Sequence, residues 1–108
     1  MLQSVLNLVG LGPSVDFKKL KNEGAIILDV RSKGEYASGH IPGSINISVD
    51  TLGRNLSLLK DKNKPIITCC ASGMRSSSAK GMLQSKGFEV VNGGGWHGLQ
   101  EKLFKLNQ

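Results

Sequence analysis

The residues best equipped for chemistry are two adjacent cysteines, Cys69 and Cys70, followed by Ala71-Ser72-Gly73-Met74-Arg75 and a serine run from Ser76. The cysteines close an apolar, β-branched run, Pro65-Ile66-Ile67-Thr68. A strand ending in cysteine, a short loop with glycine and a serine-rich helix start together make an anion-binding construction. Backbone N–H groups of such a loop turn inward, where they and the positive end of the next helix favour a negative group. A cysteine on the floor of that cradle has its thiol pKa lowered, because the thiolate is the anion being stabilised. Arg75 adds a fixed positive charge at the end of the loop. The chemistry this permits is nucleophilic attack by a thiolate on an anionic substrate held in the same cradle.

The surrounding elements are those that could hold such a loop in place. Asp16 caps a predicted helix carrying Phe17 and Leu20, and Gly24 ends it. Ala25 to Val30 reads as a buried strand, continuous rather than alternating. Ser32-Lys33-Gly34-Glu35 fits a capping box that opens a short helix, closed by Gly39. Ile45-Asn46-Ile47 is a brief strand after the Pro42-Gly43 turn. Asp50 is expected to cap a helix with Leu52, Leu56 and Leu59 on one face. Ile66 to Cys70 is the second strong strand. Ser76 to Lys86 follows as a helix with Ala79, Met82 and Leu83 inward and Gly87 as terminator. Phe88 to Val91 is a last strand, Gly93-Gly94-Gly95 a loop, and Leu99, Leu103 and Leu106 mark a closing helix. Strands alternating with helices imply an α/β fold, a parallel sheet covered on both faces. Ligands bind such sheets outside the carboxyl ends of the strands, which is where Cys70 falls.

Composition narrows the classes. The 108 residues suit one domain, 14–108, preceded by an apolar arm over 1–13. The formal net charge is +6, from 14 Lys+Arg against 8 Asp+Glu. The basic residues are scattered, without the clustered stripe that nucleic-acid binding needs, so they imply at most mild steering of small anions. Adjacent cysteines make no disulfide framework, and thiols kept for chemistry suit a reducing compartment such as the cytoplasm. No run is long enough to span a membrane. Two histidines and two cysteines lack the spacing of a zinc site. No metal or cofactor is expected, and the expected state is a monomer.

Three blocks, in order, carry a resemblance. The first is Leu28-Asp29-Val30-Arg31, then Glu35-Tyr36, then Gly39-His40-Ile41-Pro42-Gly43-Ser44-Ile45-Asn46. The second is Cys70 to Ser76, and the third Gly93-Gly94-Gly95-Trp96. Over Ser14 to Leu106 the chain resembles the rhodanese family of sulfurtransferases, in its single-domain form. The resemblance implies a five-stranded parallel sheet and a persulfide mechanism. Cys70 would take sulfur from a small anionic donor such as thiosulfate and pass it to a thiol or cyanide-like acceptor. Ala71, Ser72, Gly73, Met74 and Arg75 would line the site.

Two registers of the loop stay open at this level. From Cys70 to Arg75 the spacing is C-x4-R, that of sulfur-transferring rhodanese-like domains. From Cys69 it is C-x5-R, that of cysteine-dependent phosphatases, and a phosphatase or arsenate reductase of related geometry would act through Cys69 or Cys70. Thr68 stands where the phosphatase signature has His, which favours Cys70 as nucleophile. Cys69 is then a small buried hydrophobe on the opposite face, or a resolving thiol. A third possibility is a non-catalytic module that keeps the fold. Asp29 and Arg31 form a structural ion pair, or Arg31 faces the mouth of the site. His40 belongs to a structural turn, and His97 has no assigned role. Trp96 and Met74 make an apolar rim, or Trp96 packs the glycine-rich segment against the last helix.

Overall fold

The computed structural model describes residues 15–59 and 63–106. The proposed arm over 1–13 lies outside them. In chain order the elements are α1 (Phe17–Asn22), β1 (Ile26–Asp29), α2 (Lys33–Ser38), β2 (Ile45–Asn46), two 3-10 turns (Leu52–Arg54 and Leu56–Leu58), β3 (Ile66–Cys70), α3 (Met74–Ser85), β4 (Val90–Gly95) and α4 (Trp96–Lys105). The strands pair in the order β2-β1-β3-β4, all parallel. The sheet therefore has four strands among the described residues, not the five expected. Every strand-type apolar run within these residues is already used.

Side chains of β3 alternate between two cores, as the period of a strand requires. Ile66 and Cys70 join Leu28, Val30, Ile47, Leu52, Leu59, Ala79, Leu83, Phe88 and Val90 on the face covered by α3. Ile67 and Cys69 join Leu20, Ile41 and Leu99 on the face covered by α1 and α4. All five residues of β3 are buried, which is why the run carries no polar alternation.

The local signals that had a capping or turn mechanism appear as read. Asp16 accepts the Lys19 N–H at 3.0 Å. The Ser32–Glu35 capping box is complete, and Gly24 and Gly87 follow their helices at φ 78° and 92°. The segment after Asp50 differs. Instead of a helix capped by Asp50 it makes two 3-10 turns, with no side-chain cap. Asn55 Nδ2 donates to the Thr51 carbonyl at 2.8 Å, and such local bonds compete with helix propagation. Leu52 and Leu59 are still buried.

The glycine run is also not a loop. Gly93-Gly94-Gly95 continues β4, with a register shift that sets Thr68 opposite Asn92 but Cys70 opposite Gly95. Gly94 takes φ 80° within this bulge, and at Gly93 and Gly95 the strand passes too close to its neighbours for a side chain. A Cβ on Gly93 would lie 2.8 Å from Leu99, 2.9 Å from Ile67 and 2.9 Å from the Thr68 carbonyl oxygen.

Candidate active site

Cys70 ends β3 with its side chain on the α3 face, fully buried. The turn Ala71–Gly73 then reverses the chain into α3. Gly73 takes φ 99° as the N-cap of that helix, a left-handed conformation that disfavours any side chain. This aims the Gly73 N–H at Cys70 Sγ, 2.9 Å away. The Ser76 N–H reaches the same sulfur at 3.4 Å. The first N–H groups of a helix have no intrahelical partner, so these donors are available to the sulfur, and the helix dipole adds to their field.

The Ser76 hydroxyl lies 3.4 Å from Sγ. Burial alone would push the Cys70 thiol up. The Ser76 hydroxyl and the N–H groups of Ser76, Gly73 and Ser72 outweigh it and hold the thiol below its ordinary value. Cys69 is the opposite case. Its side chain lies in the other core, and burial, then the Asp29 charge, push its thiol up to about 12.

Arg75 is half-exposed and pairs with α2. Its guanidinium makes two parallel bonds to Glu35 of α2, Nη1 to Oε1 at 2.7 Å and Nη2 to Oε2 at 2.9 Å. The bidentate pair ties the active loop to the capping box. Arg75 first, and then Ser32, hold the Glu35 carboxyl at about 2. The sign is that of a depressed acid: the pair is intact at neutral pH and is lost as pH falls from about 4.5 toward about 2. Ala71 and Ser72 are exposed on the turn, and Met74 projects into solvent, 78% exposed.

Arg31 is buried against Asp29, with Nε 2.9 Å from Oδ1 and Nη2 2.6 Å from Oδ2. Its Nη2 also donates to the Gly39 carbonyl at 2.7 Å, and its guanidinium stacks over Trp96 at 4.7 Å. Trp96 thus packs the start of α4 against this pair. His40 stacks on Tyr36 with ring centroids 3.7 Å apart. Its Nδ1 sits 2.7 Å from the Tyr36 carbonyl; a carbonyl only accepts, so Nδ1 carries the proton. His97 is exposed and packs on Trp96. An open concavity of about 440 Å³, lined by Arg31, Glu35, Ser38, Gly39, Trp96 and His97, adjoins the loop through Glu35. An apolar groove of about 310 Å³ beside Ile27, Ile67 and Leu103 lies on the other face of the sheet from Cys70.

Two features escaped the sequence reading. The Glu35–Arg75 pair joins residues too far apart for local spacing to reveal. Asn92, at the end of an apolar run, sends its side chain to Gly73 and Ser76. The available signal was its place toward the carboxyl end of a parallel strand, where ligand-site residues gather.

A sequence model of the rhodanese-like domain matches residues 14–102. The chain belongs to the rhodanese-like domain family. The domain is 38% identical over 72 residues to a thiosulfate sulfurtransferase, GlpE, of Pseudoalteromonas translucida, covering 67% of this chain and 68% of that one. It is also 32% identical over 77 residues to a tRNA uridine(34) hydroxylase of Buchnera aphidicola, of which it spans 25%. Among solved structures it superimposes on a rhodanese-like domain protein from Staphylococcus aureus with TM-score 0.65 at 34% identity, covering 76% of this chain and 85% of that one. A rhodanese with anions from E. coli matches with TM-score 0.63 at 32% identity, over 68% and 89% of the two chains. Among the described residues of this rhodanese-like domain, no helix is long and apolar enough to cross a membrane.

Proposed function

We propose that the chain is a sulfurtransferase working through a persulfide on Cys70. The observation that carries this reading is the pair of N–H groups aimed at Cys70 Sγ, from Gly73 at 2.9 Å and Ser76 at 3.4 Å. The Cys70 thiolate attacks the outer sulfur of a donor such as thiosulfate. An S–S bond forms to Cys70 as the donor's own S–S bond breaks, and sulfite leaves with the electron pair. The persulfide is again anionic and is held by the same donors. Cyanide or a thiolate then attacks the outer sulfur. With cyanide the product is thiocyanate, and the Cys70 thiolate returns. No net oxidant or cofactor is consumed. Ala71 and Ser72 line the approach, and Met74 forms its apolar edge.

The phosphatase reading through Cys69 is disfavoured by the position of that side chain in the opposite core and by its raised thiol pKa. Steady-state assays compare the two: thiocyanate production from thiosulfate and cyanide is expected, without hydrolysis of aryl phosphates. Robust phosphatase activity that disappears in Cys70→Ser would overturn the assignment.

Arg75 supplies positive charge at the mouth while bracing the loop through Glu35. Arg75→Ala removes that charge and leaves the Glu35 carboxylate unpaired beside the loop, so it is expected to raise KM for thiosulfate and lower kcat/KM by roughly tenfold, about 1.4 kcal/mol. Arg75→Lys lies between. If the arginine only braces, KM stays unchanged while melting temperature and alkylation rate of Cys70 fall together.

A further inference from the structure

One side chain outside the active loop grips both residues that hold the sulfur. Asn92 of β4 donates from Nδ2 to the Gly73 carbonyl at 3.1 Å. Its Oδ1 accepts the Ser76 hydroxyl at 2.7 Å and the Gly94 N–H at 2.9 Å. Gly73 and Ser76 are the residues whose N–H groups reach Cys70 Sγ. Thr68, opposite Asn92 in the sheet, ties down the same turn from below through the Ser76 carbonyl, at 3.0 Å.

We propose that Asn92 is a positioning residue for the sulfur chemistry: its amide clamps the turn from Gly73 to Ser76 and steers the single Ser76 hydroxyl proton between Asn92 Oδ1 and the Cys70 sulfur. This rests on the reading of Cys70 as nucleophile. A serine hydroxyl has one proton to give. While Cys70 is a thiol, its S–H donates to Ser76 Oγ, and Ser76 donates on to Asn92. When the thiol ionises, the sulfur becomes an acceptor, and the hydroxyl turns its proton toward it. Asn92 Oδ1 keeps the Gly94 N–H throughout, so no buried acceptor is orphaned by the turn. The exchange replaces a neutral hydrogen bond with a charge-assisted one, the stronger kind. An amide suits both tasks, donating to Gly73 and accepting from Ser76 without charge. A carboxylate at this position could not donate, and its charge would keep the Ser76 proton.

Asn92→Asp preserves size and acceptor while removing the donor and adding charge. The test reads the pH dependence of iodoacetamide alkylation at Cys70, resolved from Cys69 by peptide mapping. The charged and titratable groups around Cys70 are left in place: Arg75 of α3, Glu35 of α2 paired with it, Asp29 of β1 with its partner Arg31, and the Cys69 thiol. The midpoint is expected to rise by about one pH unit, making alkylation roughly tenfold slower at neutral pH with an unchanged plateau at high pH. In Asn92→Ala the hydroxyl has lost its competing acceptor. Freeing the hydroxyl proton lowers the midpoint and loosening the Gly73 and Ser76 N–H groups raises it, so the midpoint moves by less than half as much as in Asn92→Asp, while sulfur loading from thiosulfate slows several-fold because the turn is unclamped.

An unmoved midpoint in Asn92→Asp overturns the proposal, as does an equal rise in both variants. If Asn92→Asp does not fold, an Asn92→Ala protein with unchanged midpoint and unchanged loading overturns it. Alkylation needs no sulfur transfer. If the unmodified protein takes no sulfur while the midpoints move as expected, the proposed reaction falls and the steering by Asn92 stands.

Discussion

Cys70→Ser is expected to abolish thiocyanate formation from thiosulfate and cyanide, whereas Cys69→Ser retains most of it. The two sulfurs are neighbours in sequence but lie on opposite faces of β3. Gly73 and Ser76 direct their N–H groups at Cys70. Burial and the Asp29 charge instead hold Cys69 in its neutral, unreactive form. A serine hydroxyl is too weak a nucleophile to replace the thiolate, so the residual rate should be that of the uncatalysed reaction. A dead Cys69→Ser with an active Cys70→Ser would mean that the loop register is wrong.

The largest stability effect is expected at Asp29. Its carboxylate is fully buried and takes the Arg31 side chain through Nε and Nη2 as well as the Arg31 N–H at 3.0 Å. Asp29→Ala leaves the Arg31 charge buried with only the Glu35 and Gly39 carbonyls as acceptors. Removing one partner of a buried pair costs about 3–5 kcal/mol, a large share of what stabilises a domain of this size. Urea denaturation should show the midpoint falling accordingly. Replacing the pair together, Asp29→Ala with Arg31→Met, should recover part of the loss, because no charge is then stranded. A single-variant loss below about 0.5 kcal/mol, the range of ordinary surface substitutions, would contradict this account of the pair.

What the sequence revealed about the fold follows from where the physics is local. The capping box at Ser32 and Glu35, the glycine after α1 and the apolar run of β3 each carry their own cause within a few residues, and each was legible. The leucines after Asp50 have helical spacing, but Gly53 and the Asn55–Thr51 bond favour two tight turns over a helix. The glycines of β4 have no side chains to signal a strand. The closeness of Gly93 to Ile67 and Leu99, and of Gly95 to the Ala71 carbonyl, becomes visible only once the sheet, the turn after β3 and α4 are assembled. In the site, the cysteine, the glycine turn and the helix start are contiguous and could be read together. The Glu35–Arg75 pair and the Asn92 clamp are made by residues that only the parallel crossovers bring together.

The most direct measurement is the intact mass of the protein after exposure to thiosulfate and desalting under non-reducing conditions. A persulfide on Cys70 predicts a gain of one sulfur, roughly 32 Da, carried by the peptide containing Cys70, absent from Cys70→Ser and removed by cyanide. An unchanged mass in the unmodified protein, or the same gain in Cys70→Ser, would contradict a Cys70 persulfide.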